Sequence, residues 1–192
     1  MSAGSSSFWS TVVADRLGRF DQLERRLCVV INRNLRTPGM VALLAAVSRL
    51  GDGWIWYALM IILALGAGLE GLVAALQMGV TALVSVALYK FLKHRLVRER
   101  PFVVSPDITL GTAPLDRYSF PSGHTMHAVM FTVIAVHWFP ALAVVLIPFA
   151  VLVALSRVVL GLHYPSDVVA GGLLGWGLAE LALWLWPVTD YG

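Results

Sequence analysis

Apolar and polar positions fall in long blocks along the chain, and the blocks differ in kind. Over residues 8–36, Phe8, Trp9, Val12, Val13, Leu17 and Phe20 recur at roughly helical spacing. Between them stand Asp15, Arg16, Arg19, Asp21, Glu24, Arg25 and Arg26. One apolar and one charged face predict an amphipathic helix lying at a membrane surface. From Pro38 onward the chain is a series of apolar runs. They cover Gly39–Leu50, Trp54–Leu69, Leu72–Leu92, His124–Phe139, Ala141–Leu162 and Val168–Trp186. Gly51-Asp52-Gly53, a turn at Gly66–Gly71, a polar stretch from Lys93 to Pro121, and Pro140 separate them. The third, fifth and sixth runs suffice to cross a bilayer, since about twenty helical residues span roughly 30 Å. The second and fourth borrow flanking residues or tilt. The first, preceded by Arg33 and Arg36, is a partial or re-entrant helix.

The expected fold is an all-α, polytopic membrane helix bundle of about six helices, five spans plus one partial. Residues 1–36 form an interfacial segment and residues 37–188 the membrane-embedded domain. In the last run Ala170, Gly171, Gly172, Gly175, Gly177 and Ala179 would let a neighbouring helix approach closely. No repeat of useful length is visible, which argues against an inverted-repeat transporter.

Composition sharpens this picture. Of 192 residues, 58% are hydrophobic and only 13% charged, which excludes a soluble domain of this size. The net charge of +3 gives no reason to expect a nucleic-acid partner. Cys28 is the single cysteine, so neither an internal disulfide nor a cysteine-built zinc site can form. Met1–Ser7 is small and polar and leads into an Arg/Asp-rich stretch, so no cleavable signal peptide is expected.

Three polar blocks interrupt the apolar runs, each at a run end. They are Lys93 to Pro101, Pro121-Ser122-Gly123-His124, and Ser156-Arg157 with His163 and Asp167. If runs three to six cross consecutively, all of these ends lie on one membrane face. Ionisable groups there are costly unless they pair or line a cavity, so their convergence predicts a site. Lys93, Arg100 and Arg157 supply charge and donors suited to a phosphate dianion or diphosphate. Taken alone, Lys93–Arg100 would be an ordinary basic membrane flank. Ser122 can N-cap the following helix, and Gly123 lets its backbone approach a ligand at the positive end of the helix dipole. Pro165 suits a first helical position, and the spacing of four can bring the Asp167 carboxylate to the His163 imidazole. A carboxylate on one ring nitrogen leaves the other free as nucleophile or base. No Walker loop and no His-Glu-x-x-His motif is present. His124 and His127 could share a metal but have no carboxylate nearby in sequence, and His94 and His137 are read as bystanders.

Lys93 with Arg100-Pro101 takes the form K-x6-R-P, Pro121–His124 the form P-S-G-H, and Ser156, Arg157, His163 and Asp167 the form S-R-x5-H-x3-D. Complete and in this order, the blocks resemble the type 2 phosphatidic acid phosphatase superfamily, which includes lipid phosphate phosphatases and vanadium haloperoxidases. The apolar runs exclude the soluble haloperoxidase branch. The resemblance implies that His163 attacks phosphorus to form a phosphohistidine, with Asp167 orienting it. His124 would protonate the leaving oxygen and then activate water. Lys93, Arg100, Arg157, Ser122 and the Gly123 amide would hold the phosphoryl oxygens. It also implies a metal-independent reaction without cofactor, on a lipid phosphate substrate among membrane lipids. Undecaprenyl diphosphate is the first expectation. Phosphatidylglycerol phosphate, phosphatidic acid, lipid A phosphate and polyprenyl-phosphosugar phosphates follow. A rival class, an anion channel or transporter, would use the cations but needs neither histidine nor Asp167. The expected location is the bacterial plasma (inner) membrane, with the site facing the periplasm or exterior. Positive-inside counting alone points the other way, because Lys90, Arg95, Arg98 and Arg117 share the site face. That count is set aside because much of the charge there is placed to bind phosphate and relatives of this kind commonly face outward.

Overall fold

The computed structural model describes residues 4–186, with side chains from residue 18 onward. The side chains of Phe8, Trp9, Val12, Val13 and Leu17, and residues 187–188 at the end of the expected membrane domain, lie outside the described residues. Helix α1 (Gly4–Leu35) covers the N-terminal segment. Its exposed face carries Phe20, Leu23, Leu27 and Val30, while Glu24, Cys28 and Asn32 are buried against the rest of the protein. An apolar stripe turned outward is what a lipid surface, not water, would accept.

Helix α2 (Pro38–Leu50) forms over the first apolar run. Pro38 takes the first turn, and the Thr37 hydroxyl accepts a hydrogen bond from the Met40 N–H at 3.3 Å. It meets α3 (Trp54–Gly66) at Gly51–Gly53, where the pair bends by 50°. The chain reverses at Ala67 and Gly68 into α4 (Gly68–Arg95). A Cβ on Gly71 would stand 2.0 Å from the Leu63 carbonyl oxygen, so only glycine lets these two helices close. The four-residue α5 (Pro101–Val104) opens the polar stretch. Helix α6 (Gly123–Trp138) packs against α4, α7 (Ala143–Val159) and α8 (Pro165–Leu185), a 3₁₀ turn at Pro140–Leu142 leading into α7.

Three stretches are long and apolar enough to cross a bilayer, namely α4, Pro140–Val159 and α8, with the bent α2–α3 pair as a fourth if counted as one broken span. Five full spans are expected from the runs, and length explains the difference. Helices α2 and α3 have thirteen residues each and α6 has sixteen. At 1.5 Å per residue these reach only about 20 and 24 Å. The central α6 is enclosed by the other helices, with Met126, Met130, Ile134 and Ala135 fully buried.

The small residues of α8 do what their spacing suggests. Cβ atoms on Gly171 and Gly175 would fall 2.4 and 2.2 Å from the Ser122 and Met126 carbonyl oxygens, so the α6 and α8 backbones touch there. Gly177 has open space instead. Further along, one amide ties three helices. Gln77 Nε2 donates to the Ala182 and Trp186 carbonyls at 3.0 and 3.3 Å, while its Oε1 accepts from Trp138 Nε1 at 2.7 Å. Trp56 stacks on Phe131 at 5.1 Å between centroids and anchors α3 to α6. The Gly171 contact with Ser122 lies at the end of the bundle that carries the polar blocks, and the Gln77 tie lies at the opposite ends of α6 and α8.

Candidate active site

Each polar block is placed by its own local structure. The turn after α7 bends at Gly161 (φ +76), and the N–H groups of Leu162 and His163 both donate to the Arg157 carbonyl at 3.0 Å. A Cβ on Gly161 would stand 2.6 Å from Ile108, so glycine is required both for the backbone sign and for space. This turn carries His163, 1% exposed, between α7 and α8. Pro165 begins α8, as expected. The Ser122 N–H donates to the Asp167 carbonyl at 3.0 Å, joining the second block to the third.

The eight expected residues gather at one end of the bundle. Arg100 Nη1 lies 3.2 Å from His163 Nε2 and donates to the Leu162 carbonyl at 2.8 Å. Lys93 donates to the Tyr118 carbonyl at 2.6 Å. Arg157 is 2% exposed, and its Nε has no hydrogen-bond partner. Such an unspent donor in a buried site is what a ligand oxygen would satisfy. Burial, then the charges of Arg157, Arg100 and Lys93, hold the His163 imidazole well below its ordinary pKa and keep it neutral. Asp167 Oδ2 stands 3.6 Å from His163 Nδ1, close enough for charge to act but beyond a hydrogen bond. Ser122 sits at the N-cap position, but its hydroxyl pairs with Thr125 Oγ1 at 2.9 Å and not with a helix amide. Gly123 is pressed against Tyr89, 2.6 Å from where a Cβ would stand. His124 borders a cavity of about 150 Å³ whose walls include Asp52, Tyr89, Gly123 and His127.

Several partners escape sequence reasoning. Asp116, in the stretch between α5 and α6, holds the cation cluster. Its carboxylate accepts from Lys93, from the Tyr89 hydroxyl, and from Arg100 Nη2 at 2.7 Å. Burial works to raise its carboxyl, but the hydrogen bonds from Lys93 and Tyr89 and the charges of Lys93 and Arg100 outweigh it, leaving a pKa of about 2. His124 Nε2 pairs with Asp52, and Arg157 Nη1 donates to the Ser48 hydroxyl. Both partners come from the α2–α3 region, which no motif marks. Arg98, which looks like a membrane-flanking cation, bonds Asp167, Ser166 and Glu24. Its charge is held above the usual guanidinium range against the cost of burial by Glu24 and Asp167. No local pattern signals any of these, since each partner lies on a different element.

Fold and site together define an all-α integral membrane protein with a buried cluster of cationic and histidine side chains at one end of its bundle. The chain belongs to the PAP2 superfamily, which it matches over residues 74–190. It is 38% identical over 146 residues to the decaprenylphosphoryl-5-phosphoribose phosphatase of Mycobacterium tuberculosis, covering 72% of this chain and 76% of that protein. It is 35% identical over 116 residues to the undecaprenyl-diphosphatase of Sulfolobus acidocaldarius, covering 56% of this chain but only 54% of that relative. Among solved structures, Aquifex aeolicus LpxE superposes with a TM-score of 0.68 at 26% identity, covering 82% of this chain and 93% of that one. A Bacillus subtilis transmembrane PAP2 type phosphatidylglycerolphosphate phosphatase shares the fold at a TM-score of 0.70 and 24% identity, over 98% of both chains.

Proposed function

We propose that the protein is a membrane phosphatase that removes phosphate from a lipid phosphate or diphosphate through a phosphohistidine on His163. The observation that carries this reading is a buried, neutral imidazole with Asp167 behind Nδ1 and Arg100 3.2 Å from Nε2, beside Lys93 and Arg157. A cationic group against Nε2 favours its lone pair, so the proton resides on Nδ1 facing the carboxylate. Nε2 then attacks phosphorus, and the bond from phosphorus to the lipid-side oxygen breaks. Lys93, Arg100, Arg157, Ser122 and the Gly123 amide stabilise charge on the equatorial oxygens. His124 gives its proton to the leaving oxygen. It then takes one from the water that cleaves the N–P bond, releasing inorganic phosphate and regenerating His163. These steps balance without a metal or cofactor.

The substrate we favour is polyprenyl-linked, either undecaprenyl diphosphate or a polyprenyl-phosphosugar phosphate. Two relatives whose names specify polyprenyl substrates, found in organisms as different as Sulfolobus and Mycobacterium, support that choice. The membrane-embedded domain is residues 37–188 in a bacterial inner membrane, with the site toward the periplasm. Residues 1–36 lie at the interface. Accessibility of tags at residues 105–115 tests the sidedness. For the reaction, phosphate release is measured from a panel of lipid phosphates with and without EDTA. His163→Ala is expected to lower turnover by about a thousandfold or more. Wild-type release that EDTA spares and vanadate blocks is the supporting result. Undiminished turnover in the variant would overturn the reading.

A further inference from the structure

Asp167 is fully buried and carries a carboxylate whose two oxygens are both engaged. Oδ2, the oxygen facing His163, accepts from the Tyr164 N–H at 2.8 Å, and Oδ1 accepts from Arg98 Nη1 at 2.7 Å. Arg98 in turn is clamped. Its guanidinium lies 4.0 Å over the Tyr164 ring, Nη1 also donates to Ser166 Oγ at 2.8 Å, and Nη2 donates to Glu24 Oε2 at 2.7 Å. Glu24 belongs to α1, yet it is only 3% exposed. Its Oε1 accepts from the Ser166 N–H at 2.8 Å, and its Oε2 from Ser166 Oγ at 2.9 Å. A buried carboxylate survives only when charge and hydrogen bonds offset its lost hydration, and here every one of those partners lies beside Asp167.

We propose that Glu24, acting through Arg98, is a positioning residue for the Asp167 carboxylate behind His163. The N-terminal helix is thereby a working part of the catalytic centre and not only an interfacial anchor. This inference rests on the reading of His163 and Asp167 as the reacting pair. Glu24, Cys28 and Asn32, four apart, form the inner face of α1, opposite the outward apolar stripe. Asn32 docks the same helix independently, donating to the Val159 and Thr109 carbonyls at 2.8 and 3.0 Å and touching neither Arg98 nor Asp167. Glu24 touches none of the cations that would hold phosphate. Its loss therefore changes the aim of the nucleophile and not the grip on substrate.

The test uses full-length protein in vesicles of wild-type lipid composition, with the phosphorylated lipid that the wild type turns over best. In Glu24→Gln the new Nε2 cannot accept from Arg98, while Oε1 can still accept from the Ser166 N–H. The expected result is a kcat about tenfold lower with KM within about twofold of wild type, and slower labelling of the phosphohistidine. Asn32→Ala, which loosens the same helix elsewhere, keeps kcat within about twofold. Arg98→Lys gives an independent route, because an ammonium keeps the charge but cannot span Glu24 and Asp167 with two arms. It is expected to lose kcat selectively as well. Wild-type kcat in both Glu24→Gln and Arg98→Lys overturns the proposal. So does an equal loss in Asn32→Ala, which would mean that α1 merely holds the fold. A wild type that releases no phosphate from any lipid phosphate would instead refute the underlying reading of His163.

Discussion

Asp116 sets up a competition that can be measured. In the structure its carboxylate already sits on the cations that would receive phosphate, taking Arg100 Nη2 at 2.7 Å together with Lys93 and Tyr89. A phosphoryl group entering that cradle must draw Lys93 and Arg100 away from it. Hydrogen bonds to charged groups are worth about 1.5–3 kcal/mol net. The Asp116 side chain is 29% exposed, so water screens and replaces part of that, and about 1.5 kcal/mol is a fair figure for what substrate must displace. Asp116→Asn keeps the shape and an acceptor for Tyr89 but removes the charge. About 1.4 kcal/mol corresponds to tenfold in an equilibrium constant, so KM and the inhibition constant for orthovanadate should each fall by about tenfold. Steady-state kinetics on vesicle-borne substrate, with a vanadate titration, measure both. If KM and the vanadate constant are unchanged or rise, Asp116 does not compete for the cradle. It would then be aiming Lys93 and Arg100 toward the phosphate, and the reasoning above would be wrong in sign.

Two other consequences are open to direct measurement. The proposed attack requires a neutral His163, and burial with the charges of Arg157, Arg100 and Lys93 holds its imidazole well below the ordinary pKa. Removing one of those positive charges in Arg157→Gln makes protonation easier. The acid limb of kcat/KM should therefore move to higher pH on top of a general loss of activity, and an unmoved limb would contradict the electrostatic account. At the helix contact, Gly175→Ala would drive a Cβ to within 2.2 Å of the Met126 carbonyl oxygen unless α6 and α8 separate. Overpacking of this kind costs about 1–3 kcal/mol, so the unfolding midpoint in detergent should drop measurably. Gly177→Ala, with open space around it, should leave the midpoint unchanged.

The apolar runs, the breaks between them and the three motif blocks were legible because each is a local property of the chain. Run length, glycine spacing on α8, Pro165 at a helix start and the four-residue step from His163 to Asp167 depend on a handful of neighbouring residues. The convergence of Lys93, Arg100, Arg157, His124 and His163 could be read because alternating crossings put alternate run ends on one face. Tertiary structure alone decided how the charges are shared. Glu24 meets Ser166 across 142 positions, Arg157 meets Ser48 across 109, and His124 meets Asp52 across 72. No periodicity encodes such pairs. They follow from which helix faces pack together, and a buried ion takes whatever opposite charge that packing leaves within reach. Hence Arg98 reads in sequence as a flanking cation and in the fold as the partner of Asp167. The N-terminal helix, legible as amphipathic, turned Glu24, Cys28 and Asn32 toward the rest of the protein and Phe20, Leu23, Leu27 and Val30 outward. The motifs marked which residues gather at the site, and packing decided which partners support them.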